Sequence, residues 1–167
     1  TKRTVPGASS LLRELRASTP AIVTILSGSP EQMRRSLESK LRLDGIQWDE
    51  FLLKPSLRNI FRGRFKALRN QVGYKLPALL SARTRSNVDV PETLFGDDAE
   101  ADFFIYSLYA DIVAGAIDRA LLEEILLRAG CYDDDAARAL ALAGPKLVVA
   151  SVAPVLAKAL KGQGGTW

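Results

Sequence analysis

Ala21-Ile22-Val23-Thr24-Ile25-Leu26 is followed directly by Ser27-Gly28-Ser29-Pro30. A continuous apolar run rich in β-branched residues and bounded by turn residues is typical of a strand that is covered on both faces of a parallel sheet. Ser29 is a good N-cap, Pro30 suits the first helical position and Gln32 completes a capping box. A helix is therefore predicted to begin directly after this strand.

Helical and strand patterns alternate on both sides of the first strand, which predicts an α/β fold with a parallel sheet and extra helices at the C-terminal end. The predicted elements are a helix at Ser9–Ala17, the strand Ala21–Leu26, a helix from Ser29 that stops before Gly45, a strand at Phe51–Leu53, helices at about Leu57–Asn70 and Lys75–Ala82, a loop at Ser86–Pro91, a strand at Glu92–Phe95, and helices at Glu100–Ala114, Asp118–Ala129 and Asp133–Leu142.

The composition excludes several kinds of site. The chain has 167 residues, one cysteine and no histidine. Ser-His-Asp catalysis, Cys-His catalysis and imidazole metal ligands are therefore excluded, and Cys131 alone forms neither an internal disulfide nor a zinc–thiolate cluster. Any catalysis rests on carboxylates, lysine, arginine, hydroxyls, backbone groups or a hard cation.

The cellular compartment is predicted from the same amino-acid composition. A lone cysteine suits a reducing compartment, so we expect a cytoplasmic protein. No signal-peptide pattern is seen, and the most apolar late stretch, Leu147–Leu160, is too short for a membrane span. No transmembrane segment is therefore expected.

The net charge of +4 hides two blocks of opposite sign. Residues 51–88 carry nine basic and no acidic side chains, whereas residues 89–135 carry thirteen acidic and two basic ones. Such blocks indicate a positive face and a negative pole, although solvated helix faces are the commoner explanation of any single block. Phe61, Phe65 and Tyr74 follow a helical spacing that favours the core, so nucleic acid is not an expected partner.

Candidate functional residues follow two of the predicted strands. Ligands of open α/β sheets bind at the carboxyl ends of the strands. Ser27 and Gly28 follow the first strand at a helix N-terminus, which suits phosphate oxygens. Asp97, Asp98 and Asp102 follow the third strand, and clustered carboxylates favour Mg²⁺. A cation pocket beside a phosphate cradle is a layout for phosphoryl transfer.

Each of these residues also has a purely structural explanation. Ser27 serves equally as a turn residue, and capping fully explains Ser29. Asp97 and Asp98 can simply cap the next helix and interact with its dipole, and Lys75 can be a solvated surface lysine. It is their joint occurrence in this order that favours a functional site.

The joint pattern resembles the haloacid-dehalogenase-like phosphatases. In that superfamily a strand ends in Ser or Thr, a Lys opens a later helix, and a further strand ends in an acidic Gly-Asp-Asp-x-x-x-Asp motif. Here the corresponding features are Ser27, Lys75 and residues 96–102. The short segments 26–30 and 105–106 are also similar to those of a branch that includes phosphatidate-phosphatase-like proteins. The resemblance covers about residues 6–115.

The resemblance implies a Rossmann-like three-layer sandwich and a Mg²⁺-dependent phosphomonoesterase that works through an aspartyl-phosphate. Ser27 would bind a phosphoryl oxygen and Lys75 would neutralise charge, with Lys54 and Lys66 as alternatives for the lysine. Asp97 and Asp98 would hold Mg²⁺, and Asp102 would be a third ligand or a support. The substrate would be a phosphorylated small molecule or a phospholipid, with the basic block as its approach surface.

The nucleophile of the superfamily lies in an Asp-x-Asp-x-Thr-like motif at the end of its first strand, and the 167 residues contain no such motif. Residues 1–7 resemble the segment just downstream of that strand. Three explanations are open: the motif precedes Thr1, another chain supplies it, or the protein binds ligand without turnover. We favour the first, because a sheet without its central strand would leave buried edges unpaired.

Two domains are predicted: a core at residues 1–115 that lacks its first strand, and a helical extension at residues 116–167. The extension either packs on the sheet or forms a contact between subunits. The alternative to a phosphatase is a catalytically inactive α/β module that binds a protein or an anionic ligand, and these 167 residues alone are expected to be inactive.

Overall fold

The computed structural model describes residues 6–18, 20–55, 64–85, 90–96 and 101–144, and for residues 64–70 it describes the backbone alone. Over these ranges the fold is mixed α/β, with six α-helices and a parallel sheet of two strands. The chain divides into two units, Thr1–Phe61 and Arg62–Trp167. The first is built around the sheet and the second is built from helices.

The first unit contains a strand–helix–strand arrangement preceded by a helix. Its elements are α1 (Ala8–Ser18), β1 (Thr24–Pro30), a 3₁₀ helix (Glu31–Met33), α2 (Arg34–Leu43) and β2 (Glu50–Lys54). β1 and β2 run parallel, with Thr24 opposite Glu50 and Ser27 opposite Leu53. Parallel strands require a crossover connection, and α2 supplies it. The predicted first helix, the helix that stops before Gly45 and the second strand are confirmed.

Asp49 links the start of β1 to the start of β2. Its carboxylate accepts two hydrogen bonds from Arg16 of α1, at 2.7 and 2.8 Å, and one from the Val23 N–H at 2.8 Å. The Asp49 N–H donates in turn to the Val23 carbonyl at 2.9 Å. The Arg16 and Val23 donors stabilise the charged carboxylate, and they lower the pKa of Asp49 to about 2. Asp49 therefore aligns the two strands and holds α1 beside them.

β1 differs from the predicted strand in its limits. It begins at Thr24 instead of Ala21 and continues through Pro30, so the predicted turn residues belong to the strand. The pairing with β2 is irregular between Ser27 and Pro30, and such a bulge accommodates small residues and a proline in a strand. The prediction that the first strand ends at Leu26 is therefore wrong.

The predicted capping box after this strand is also wrong. Pro30, not Ser29, occupies the N-cap position of the 3₁₀ helix, and no side chain caps it. The predicted coverage of β1 differs as well, since Ile25 and Leu26 are only partly buried. The apolar run predicted the strand from its side chains, but how far a strand is covered depends on which elements pack against it.

The second unit contains four helices around an apolar core. The helices are α3 (Arg64–Arg85), α4 (Asp102–Val113), α5 (Arg119–Arg128) and α6 (Asp133–Ala143). The most deeply buried large side chains of the core come from α3, α4 and α5: Val72, Leu76, Leu80, Ile105, Leu108, Ile112, Leu122 and Leu126. The three predicted helices after residue 100 are confirmed, and residues 145–167 lie outside the described part.

α3 is one continuous helix where two were predicted. Gly73 suggested a break between them, because glycine is a poor helix former. The helix continues because Val72, Leu76 and Leu80 are completely buried on its inner face, so packing outweighs the local preference. Gly73 lies against α6, where a Cβ atom would come within 2.6 Å of Asp135 Oδ2. The part of the predicted first helix before Arg64 lies outside the described residues.

The predicted strand at residues 92–95 is wrong. Residues 90–96 are neither helix nor strand, and they contact α3 and α4 through side-chain hydrogen bonds. A strand requires a neighbouring strand, and an apolar pattern cannot show whether one is present. The predicted three-layer sandwich and the predicted boundary at residue 115 stay predictions. α5 and α6, beyond that boundary, share the core of α3 and α4.

α5 begins and ends where the sequence signals it. Asp118 caps α5 by accepting a hydrogen bond from the Leu121 N–H at 2.8 Å. Gly130 follows α5 with a φ of 68°, a conformation that glycine adopts without strain. Among the helices that the structure describes, none is both long and apolar enough to cross a membrane.

Candidate functional site

Lys75 and Asp102, both singled out from the sequence, form an ion pair between α3 and α4. Lys75 Nζ donates a hydrogen bond to Asp102 Oδ1. The two residues are only 4% and 7% exposed. An unpaired buried charge is strongly destabilising, so each group compensates the other. The structure therefore brings together two residues that lie 27 positions apart in the sequence.

The apolar faces of the two helices place this pair. Leu76 follows Lys75 on α3 and is completely buried, and Ile105 lies one turn after Asp102 on α4 and is also completely buried. Asp102 is the first residue of α4, where a carboxylate interacts favourably with the positive end of the helix dipole. The surface role considered for Lys75 is therefore excluded.

The segment 90–96 leads into the acidic motif beside the pair. Gly96 lies so close to α4 that a Cβ atom would be 2.6 Å from Asp102 Cβ and 2.7 Å from Tyr106 Cε2. A side chain at this position would force a displacement, so the close approach requires glycine. Since Asp97 follows Gly96 directly, the chain enters the acidic motif next to Asp102.

A second polar cluster fixes the start of this segment, and the sequence analysis missed it. Arg83 Nη1 donates to the Val90 carbonyl at 2.8 Å and lies 3.4 Å from Glu92 Oε2. Tyr109 Oη donates to the same Glu92 oxygen at 2.6 Å. Burial, and then the Glu92 carboxylate, raise the pKa of Tyr109 far above its usual value.

One signal in the sequence could have revealed this cluster. Val72, Leu76 and Leu80 form the buried stripe of α3, and Arg83 continues that stripe at the next helical position. An arginine on a core-facing stripe requires buried partners. No comparable signal marks Glu92.

The metal-binding part of the predicted site is described only at Asp102. Asp97 and Asp98 lie outside the described residues, and within the ranges that the structure covers no group of three or more ligating side chains forms. Carboxylate oxygens are the donors that Mg²⁺ prefers, so the chemistry of the set fits this ion. Asp102 already accepts a hydrogen bond from Lys75, which favours support of the other two carboxylates over direct ligation.

Ser27 and Gly28 lie in β1 of the first unit, whereas Lys75 and Asp102 lie in the second. Regular pairing of β1 ends at Ser27, and Ser27 Oγ accepts a hydrogen bond from the Ser29 N–H at 3.2 Å. Ser27 thus stands where the ladder becomes irregular, although β1 itself continues. This hydrogen bond is the turn-type role that was weighed for Ser27.

The competing lysines are placed differently from Lys75. Lys54 is the last residue of β2 in the first unit. Lys66 lies in α3, within the range where only the backbone is described. Lys75 contacts Asp102 of the acidic motif.

No family model, curated protein or solved structure matches this chain. Function is therefore inferred from the chain's own residues. Their geometry offers a buried Lys75–Asp102 ion pair next to Gly96, the residue at which the acidic motif of the sequence begins.

Proposed function

We propose that the protein is a Mg²⁺-dependent phosphomonoesterase of the haloacid-dehalogenase-like type. The observation that carries the proposal is the ion pair between Lys75 and Asp102. These residues were selected as parts of two separate motifs, and their contact supports the view that the motifs form one site. The close approach of Gly96 to Asp102 supports the same grouping.

The proposed roles follow from the chemistry of each group. Lys75 neutralises negative charge on the phosphoryl group. Asp97 and Asp98 hold Mg²⁺, and Asp102 orients the Lys75 side chain. When bound, the ion supplies charge stabilisation for the transferring phosphoryl group.

The nucleophile would be an aspartate that the 167 residues do not supply, since they contain no Asp-x-Asp-x-Thr-like motif. Its carboxylate would attack phosphorus and release the alcohol, and water would then hydrolyse the aspartyl-phosphate to inorganic phosphate. β1 and β2 would belong to a three-layer sandwich completed by further strands. These 167 residues alone are expected to be inactive.

The proposed substrate is a phosphorylated small molecule or a phospholipid in the cytoplasm. The excess of nine basic side chains at residues 51–88 favours an anionic substrate. The helices after residue 115 are proposed as a contact between subunits or as packing on the core.

The test is hydrolysis of p-nitrophenyl phosphate by the full encoded protein, with and without Mg²⁺. Asp97→Ala should reduce turnover at least a hundredfold, because it removes a proposed metal ligand. Asp134→Asn is the matched control, since Asp134 is an exposed aspartate of α6. Turnover of Asp97→Ala equal to that of the wild type would refute the proposed site.

A catalytically inactive binding module is the second candidate, favoured by the absence of a nucleophile motif from these residues. Inorganic phosphate and Mg²⁺ would then bind without turnover in the full protein. Isothermal titration calorimetry with each of them, beside the hydrolysis assay, separates the two functions.

A further inference from the structure

Polar contacts anchor the segment 90–96 to the helices α3 and α4. All of its residues are exposed, including the large apolar side chains of Val90, Leu94 and Phe95. Its attachments are the hydrogen bonds that Arg83 and Tyr109 donate at its start and one that Tyr106 Oη donates to the Phe95 carbonyl at 3.1 Å. These hydrogen bonds therefore fix both ends of the segment.

The groups that make these contacts at the start of the segment are themselves buried. Arg83 is 8% exposed and Tyr109 is 3% exposed. Burying a guanidinium and a phenol is costly unless they are hydrogen-bonded, and Glu92 and the Val90 carbonyl supply acceptors. A buried arginine and tyrosine that both converge on one segment indicate that its position is specified.

The contacts also define the path of the segment. Asp102, Tyr106 and Tyr109 are spaced four and three residues apart, so they share one face of α4. Glu92 contacts Tyr109, the Phe95 carbonyl contacts Tyr106, and Gly96 lies against Asp102. The segment therefore runs along α4 towards its N-terminus and reaches the buried ion pair where the acidic motif begins.

We propose that Arg83, Glu92 and Tyr109 form a clamp that positions the acidic motif for binding Mg²⁺. The three are positioning residues: they act through the segment 90–96 and do not touch the metal ion or the substrate. The proposal rests on the proposed phosphatase function for the role of the metal. The anchoring of the segment is independent of that function.

The test compares Tyr109→Phe and Glu92→Ala with the wild type, using the full encoded protein. Tyr109→Phe removes one hydroxyl and keeps the ring in the core, and Glu92 is exposed, so both variants should fold. Glu92→Gln retains an acceptor for Tyr109 and should restore most of the wild-type behaviour. Glu124→Gln on the exposed side of α5 is the control.

Two measurements are made, neither of which requires turnover. The ¹⁵N order parameters of the amides at 92–96 should fall from about 0.85, typical of a rigid backbone, to below about 0.6 in both disrupting variants. The dissociation constant for Mg²⁺, measured by calorimetry without substrate, should rise about tenfold. The control and Glu92→Gln should stay near the wild type in both.

Each result decides a separate claim. Unchanged order parameters would overturn the clamp, whatever the activity. Mobile amides with unchanged Mg²⁺ affinity would overturn the positioning role and leave the phosphatase function standing. A wild type that neither binds Mg²⁺ nor hydrolyses phosphate esters would overturn the proposed function and the positioning role together, and the order parameters would still decide the anchoring.

Discussion

Lys75 of α3 and Asp102 of α4 form an ion pair inside the helical core, where both residues are almost completely buried. Such a pair depends on both partners, because removing one leaves the other charge without compensation in a medium of low polarity. The pair therefore couples the stability of the second unit to the residues proposed for its chemistry.

Removing one partner of this pair should destabilise the protein strongly. We expect Lys75→Met and Asp102→Asn each to lower the free energy of unfolding by about 3–5 kcal/mol. The double variant Lys75→Met/Asp102→Asn should lose much less than the sum, since no uncompensated charge remains. Urea denaturation followed by circular dichroism at pH 7 measures all three, and additive losses would contradict the coupling.

Gly96→Ala should destabilise the second unit by about 1–3 kcal/mol, because the added Cβ atom would overlap Asp102 and Tyr106. Gly144→Ala is the matched control: Gly144 has a φ of −43°, and its nearest neighbour to an added Cβ is 3.4 Å away. That control should be unchanged or up to about 1 kcal/mol more stable. Equal unfolding free energies for the two variants would show that the close approach at Gly96 is wrong.

The pKa of Asp49 should be measurable by NMR titration of its carboxyl group, with a midpoint at about 2. The value lies below the ordinary 3.8, so the contribution of Asp49 to stability is complete above pH 3.8 and is lost as the pH falls towards 2. Arg16→Gln should raise the midpoint, because it removes the largest cause of the shift and leaves the Val23 N–H. An unshifted wild-type midpoint near 3.8 would contradict the contact between Arg16 and Asp49.

Asp111→Asn should stabilise the protein at pH 7 by up to about 1 kcal/mol. Asp111 Oδ2 is buried without a hydrogen-bond partner among the described residues, and burial raises the pKa of this carboxyl. The charge also lies near the C-terminal end of α4, where the helix dipole disfavours it.

The pH dependence of this variant has a definite sign. A raised pKa means that the folded state binds the proton more tightly, so wild-type stability falls as the pH rises above 3.8 through the folded-state pKa. The advantage of Asp111→Asn should therefore disappear in urea denaturation below about pH 3.8. A constant difference between pH 3 and pH 7 would exclude titration of Asp111 as the cause.

The sequence by itself determined the elements with strong local signals. The spacing of apolar residues on α4, α5 and α6, with Asp118 at one start and Gly130 at one end, was sufficient to place these helices, since both signals act within a few residues. The parallel βαβ arrangement of β1, α2 and β2 also followed, because an apolar β-branched strand and a short second strand flank an amphipathic helix.

Only the tertiary structure determined the secondary structure at positions where long-range packing outweighs local preference. Gly73 lies inside a continuous α3 because the neighbouring Val72 and Leu76 are buried, and Glu92–Phe95 is no strand because it lies on helices. The contact of Lys75 with Asp102 and the hydrogen bond from Arg83 to the Val90 carbonyl depend on partners that lie far away or on other segments. The amino-acid sequence shows which side chains are apolar or charged. The partner of each charged side chain is determined only when segments that are distant in the sequence pack together.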